Sequence, residues 1–238
     1  MPTPSEAAIA RHPHLAELRR PGWVRVDLHA HTMWSGDSTT TPDEIADAVD
    51  AAGLDVLCIT DHHEVAGAIG LANELGCRVV VGEELRTHAG ELIGLFLTER
   101  VPFGTPPAVA ATAIREQGGV VYVPHPFDPM RRNISEAALD GLVAAGLVDV
   151  IEVVNAKTSL PGLNRRAAEY AAQHRLLAGA GSDAHVPDAI GAAYVEMPDF
   201  DGPTDFVAKL AEGRIVGHHW DHPRPWSPRI VPSFGERR

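Results

Sequence analysis

The segment VRVDLHAHT, residues 24–32, ends an apolar run with two histidines, His29 and His31, separated by one alanine. Residues i and i+2 of a strand point to the same side. The pair therefore presents two imidazoles in parallel, a spacing suited to one metal ion. Asp183 and His185, in GAGSDAH, repeat the device with one carboxylate. Similar residues follow other apolar runs: Asp61 and His62 in CITDHH, Glu83 and Glu84 in VVVGEEL, His125 in VYVPHPF, Glu152 and Asn155 in IEVVNA. Taken singly, each has an ordinary explanation. An isolated H-x-H is more often a surface pair than a ligand pair, and an Asp after a strand can cap the next helix. Their recurrence at the same end of nearly every apolar run is what ordinary explanations leave out. Nitrogen and oxygen donors without thiolate favour Mn, Zn, Fe or Co over a structural cysteine-type zinc site. More than four donors imply more than one ion. Such ions suit phosphoester hydrolysis: one generates hydroxide from bound water near neutral pH, and together they neutralise the phosphate.

These residues need elements that bring them together. Strand-like runs fall at 24–28, 55–60, 77–85, 91–97, 120–124, 148–155 and 176–181. The clearest helix starts at Thr41, where Thr41, Pro42 and Glu44 supply an N-cap, a first-turn proline and a capping-box acid. Ile45, Ala48, Val49 and Ala52 then recur at helical spacing, and Gly53 ends the helix. Further helices are expected at 64–75, 106–117, 134–145, 162–174 and 203–212. Ala-rich helices between continuous apolar strands predict βα repetition and a mostly parallel sheet buried on both faces. About seven units predict a closed or nearly closed barrel, with a doubly wound open sheet as the alternative. In a βα barrel all C-terminal strand ends share one face, so the donors would converge there.

The chain of 238 residues carries a formal net charge of −12, against broad binding to long nucleic acid, which needs a cationic surface. No apolar run approaches the roughly 18 residues of a membrane span, and the N-terminal stretch lacks the apolar centre of a signal peptide. Cys58 and Cys77 form no C-x-x-C pair and read as free thiols in a reducing cytoplasm. Residues 1–22 read as a polar, partly helical extension, 23–217 as the barrel, and 218–238 as an irregular tail packed on or beside it. His12, His14 and His174 fall outside the strand-end pattern, and His218, His219 and His222 match no motif; none is assigned a role.

In this order, DLHAHTMWSGDSTTTPDEI, ITDHH, GEEL, PHPF and GSDAH resemble the successive motifs of the PHP (polymerase and histidinol phosphatase) superfamily, from about residue 24 to about residue 195. The resemblance implies an α/β fold, a distorted TIM-like (β/α)7 barrel, and a metal-dependent phosphoesterase with two or three divalent ions (Mn, Zn or Fe). It implies that His29, His31, Glu84 and Asp183 hold one ion, and that Asp37, in WSGDS, joins His62 and His185 at another. Glu84 would bridge to a third ion that His125 also binds. Many members have a histidine where this chain has Glu91, after Gly90; Glu91 then substitutes oxygen for nitrogen, or His88 approaches from the loop. Asp61 is expected to orient an imidazole, and Glu83 to be a bystander.

Arg131 and Arg132 lie just beyond His125, and Arg suits bidentate phosphate contact. Asn155 and Lys157 are further candidates for substrate contact. Glu152, three residues before Asn155, is expected on the opposite side of the strand and away from the site. Asp61, His63 and a metal-bound water are candidates to protonate the leaving group. No Ser-His-acid spacing around Ser35 or Ser182 suggests acyl chemistry. The expected substrate is a small phosphorylated metabolite or nucleotide. A nuclease or oligonucleotide phosphodiesterase, and a non-catalytic metal-binding domain, remain as alternatives.

Overall fold

Continuous apolar runs become strands buried on both faces, because helices cover the outside of the sheet and side chains fill the inside. A computed structural model describes residues 3–220. The strands are β1 Trp23–Ala30, β2 Val56–Ile59, β3 Arg78–Thr87, β4 Gly90–Leu95, β5 Val120–Val123, β6 Val150–Asn155, β7 Leu177–Gly181, β8 Ala193–Pro198 and β9 Arg214–Gly217. The helices are α1 Glu6–Arg11, α2 Pro42–Ala52, α3 Ala66–Leu71, α4 Pro107–Glu116, α5 Glu136–Ala144, α6 Pro161–His174 and α7 Gly202–Leu210. The capping box at Thr41 forms, and Gly53 ends α2 in the left-handed conformation at φ 63°.

Among the described residues, the nine strands form one sheet in the order β7-β6-β5-β4-β3-β2-β1-β8-β9. β1 to β7 thus lie side by side in chain order, with no reversal of the kind that defines a doubly wound sheet. The sheet curls until the chain after β7 meets the end of β1: Asp183 N donates to His29 O at 2.8 Å and His31 N to Ala184 O at 2.9 Å. The result is a nearly closed (β/α)7 barrel.

The distortion has a local cause. β4 runs antiparallel to both β3 and β5, because Thr87–Gly90 is a hairpin turn with no crossover helix. Gly90 sits there at φ 129°, and a Cβ would lie 2.3 Å from the Asn133 carbonyl oxygen. Two strands went unread in the sequence. β8 and β9 extend the far edge of β1, with antiparallel pairing throughout. Of the two, only β9 is an edge strand, and its Arg214 pairs with the buried Glu196 of β8.

Val26, Leu28, Val56, Cys58, Ile93, Tyr122, Val150, Ala180 and Val195 belong to one buried cluster. Ala8 and Leu15, from the N-terminal segment, join Ile45, Val49 and Leu57 in another. Cys58 and Cys77 are free thiols, buried and half-buried respectively. Among the described residues, no helix is long and apolar enough to cross a membrane. His222 and most of the expected tail lie outside the described residues.

Candidate metal centre

Each donor is placed by the end of a strand or by the turn that follows it. His29 is the next-to-last residue of β1, and His31 follows one residue beyond its end. His62 follows β2, and pairs as an isolated bridge with Glu84 on β3. His125 and Asp183 follow β5 and β7 with positive φ, 29° and 49°. Such backbone is costly for residues with a Cβ and clusters at functional sites. Gly181, the last residue of β7, lets this strand close against β1; a Cβ there would sit 2.3 Å from His29 Cβ.

The donor atoms converge. His29 Nε2 lies 3.0 Å from His31 Nε2. Both face Glu84 Oε2, at 3.3 and 3.2 Å, and Asp183 Oδ1, at 3.8 and 3.6 Å. His125 Nε2 is 2.8 Å from Glu84 Oε1. His62 places Nδ1 3.4 Å from Glu84 and Nε2 3.5 Å from Asp37, which also sits 3.1 Å from His185 Nε2. Four overlapping groups have one ligand atom per residue within 4.8 Å of one another: His31, Asp37, His62 and His185; His29, His31 and Glu84; His29, His125 and Asp183; His62, Glu84 and Glu91. Glu91 is thus grouped with His62 and Glu84, and His125 with His29 and Asp183. His88 is exposed in the hairpin turn between β3 and β4.

The electrostatics fit cations at this place. Burial and the facing charge of Glu84 push the Glu91 carboxyl up to about 7. Burial opposes protonation of His62, but Glu84 and Asp37 outweigh it and raise the imidazole to about 9. Burial also opposes ionisation of Glu84 and Asp183, yet imidazoles around the first and Lys157 beside the second hold both carboxyls well below the usual range. Two close imidazole nitrogens and facing buried carboxylates are what shared divalent ions would satisfy.

The donors surround a cavity of about 420 Å³, also lined by His63, Arg86, Met130, Arg131 and Arg132. Arg86 was missed in the sequence. It stands two residues after Glu84, on the same side of β3 and opposite Glu91 in the ladder, so strand alternation could have found it. Ser35 was also missed as a support: His31 Nδ1 lies 2.9 Å from its Oγ, which accepts from His62 N at 3.1 Å.

Several expected roles are corrected. Asp61 neither orients an imidazole nor reaches the cavity. Its buried carboxylate accepts from Thr32 N and Thr32 Oγ1, both at 2.6 Å, and fixes the turn after β1. Asn155 is fully buried; its amide donates to Glu152 and Asp183, and its Oδ1 accepts from Lys157 N. That leaves it a brace, not a substrate contact. Lys157 stands behind the donors, with Nζ 2.8 Å from His185 Nδ1 and 3.6 Å from Asp183 Oδ1. Arg131 lines the cavity but leans inward, 3.5 Å from Asp183 and donating to the Lys157 carbonyl. Glu152, expected to face away, contacts His29 directly at 3.1 Å. The register shift between Glu152 and Val154 breaks the strict alternation of β6. Glu83 points out of the site and accepts from Val101 N.

A nearly closed βα barrel with imidazoles and carboxylates gathered over its C-terminal end is the class of molecule that fold and site define. The chain belongs to the PHP family: the PHP domain matches residues 27–186, and the PHP-associated PHP_C region matches 161–215. It is 33% identical over 196 residues to an uncharacterized protein of Methanocaldococcus jannaschii, covering 79% of each chain. A second uncharacterized protein of that organism is 36% identical over 130 residues, which are 49% of this chain and 76% of the relative. Among solved structures, a two-domain protein of Bacteroides vulgatus containing a predicted PHP-like metal-dependent phosphoesterase superposes with a TM-score of 0.65. That match is 19% identical and covers 85% of this chain and 70% of that one; at such identity it speaks for the fold alone.

Proposed function

We propose that the protein is a metal-dependent phosphoesterase that hydrolyses a small phosphorylated molecule. The observation that carries this reading is the coincidence, at one cavity, of four overlapping donor groups with three arginines. His29, His31, Glu84 and Asp183 would hold one ion, and Asp37, His62 and His185 another. Glu84 and Glu91 supply donors for a third, which His125, with Nε2 2.8 Å from Glu84 Oε1, would also bind. Divalent ions bound here, Mn, Zn or Fe, would supply positive charge to the phosphate and acidity to the attacking water.

The chain's own residues do the rest. Arg132 and Arg86 stand exposed at the cavity wall and offer guanidinium groups to phosphate oxygens. Arg131 steadies Asp183 and lines the same cavity. His63 faces the same space, packed on Phe103 with ring centroids 4.5 Å apart; it is the candidate for contact with the leaving group. A cavity of about 420 Å³ matches a small ligand. The net charge of −12 argues against long nucleic acid. Two free thiols accord with a cytoplasmic location.

The test is metal analysis of the purified protein, followed by a panel of phosphate mono- and diesters in Mn and in Zn. Two or three ions per chain and turnover of small monoesters are expected. A metal-loaded protein inactive on the whole panel would overturn the reading.

A further inference from the structure

Glu152 is fully buried and uses both carboxylate oxygens twice. Oε1 accepts from His29 Nδ1 at 3.1 Å and from Tyr122 OH at 2.9 Å. Oε2 accepts from the His125 backbone N at 2.6 Å and from Asn155 Nδ2 at 2.9 Å. Asn155 Nδ2 lies in turn 3.2 Å from Asp183 Oδ2. One carboxylate on β6 therefore reaches three candidate ligands from three other strand ends. Each contact does something specific. The bond to His29 Nδ1 keeps a proton on that nitrogen and leaves the Nε2 lone pair aimed at Glu84, His31 and Asp183. The bond to His125 N holds a backbone at φ 29°, which costs energy unless the surroundings enforce it. The bond through Asn155 sets the rotamer of Asp183.

We infer that Glu152 is the positioning residue of the metal centre: it fixes the tautomer of His29 and the orientation of His125 and Asp183 without touching substrate. This rests on the metal-centre reading above. Partners behind ligating histidines are worth about 10- to 100-fold in metal affinity. Glutamine at this position cannot serve, since its amide nitrogen would face a donor on at least one side.

The experiment is zinc titration by calorimetry of the full chain and of Glu152→Gln, with circular dichroism as the check on folding. We expect the folded variant to bind one ion about 10- to 100-fold more weakly, while the ion at Asp37, His62 and His185 keeps its affinity. In zinc-loaded, ¹⁵N-histidine-labelled protein, the Nδ1–H signal of His29 should shift or disappear in the variant. A double-mutant cycle with His29→Ala should be non-additive. A folded Glu152→Gln with parental zinc affinity, or an additive cycle, overturns the inference. Should Glu152→Gln not fold, Tyr122→Phe, which removes one donor to Oε1, is read in the same way: about 2- to 10-fold weaker zinc binding supports the inference, and unchanged binding overturns it. The parent separates the two readings. If the parent takes up no zinc, the metal centre itself falls; if only the variants match the parent, Glu152 alone loses its role.

Discussion

Two histidine-rich regions of this molecule face different companions. At the barrel rim, His29, His31, His62, His125 and His185 turn ring nitrogens toward Glu84, Asp183 and Asp37. Where the N-terminal segment meets the end of β9, His12 and His14 donate from Nε2 to the carbonyls of Asp188 and Gly191, each at 2.9 Å. His12 Nδ1 then receives the proton of His218 Nε2 at 2.9 Å, and the Trp220 ring packs 4.7 Å from His12. Both regions contain an H-x-H. The consequences are opposite. Carboxylates raise His62 to about 9, whereas burial, only partly offset by the Asp188 carbonyl, pulls His12 down to about 4. The lesson is that imidazole spacing alone does not make a metal site. Convergent acids do, while carbonyl partners make neutral histidines into structural pins.

The strongest way to break this comparison is substitution. His29→Ala or Asp183→Ala should remove at least one ion per chain and lower phosphoesterase turnover about 1,000-fold, as read by metal analysis and steady-state rates. His12→Ala should leave the ion count unchanged, and a lost ion there would erase the distinction. Metal removal comes next. A ligand at about 1,000 times its Kd adds about 4 kcal/mol, so chelation should lower the Tm by about 10 °C, and His12→Gln should show the same drop as the parent.

Acidification tests the other region. With the folded His12 near 4 and its ordinary value at 6.5, the unfolded chain binds more protons between those values. The contribution is complete above pH 6.5 and is lost as pH falls through 4, amounting to about 3 kcal/mol. Urea unfolding of chelated protein at pH 7.5 and 4.5 should show a smaller difference for His12→Gln than for the parent. A smaller effect is expected at the cavity wall, where Arg132→Ala should raise KM about tenfold, or about 1.4 kcal/mol, with kcat little changed. The smallest concerns neighbours on one strand. Glu83→Gln should keep metal affinity within about twofold and cost about 1 kcal/mol of stability, while Glu84→Gln loses metal; calorimetry and urea unfolding separate the two.

Much of the framework could be read locally. The capping box at Thr41 and Glu44, the helical spacing through Ala52 and the stop at Gly53 are encoded within 13 consecutive residues, and α2 forms there. Seven apolar runs became β1 to β7 in chain order. β8 and β9 were not legible, since their stability comes from pairing, β8 on the outer edge of β1 and β9 on β8, rather than from their own pattern. Near the site, i, i+2 alternation placed His29 with His31, while the separation of Glu84 from Glu83 came from the family resemblance. The same rule misplaced Glu152, because a bulge interrupts β6.

The sequence by itself determined which residue types arrive at the strand ends, because the side-chain period and the caps are local properties of the chain. Only the tertiary structure decided what each side chain faces. Asp61 was claimed by Thr32, Asn155 by Glu152 and Asp183, and His12 by a carbonyl distant in the chain. A buried polar group must find a partner, and which partner stands within reach is fixed by how distant segments pack, not by the residues on either side of it.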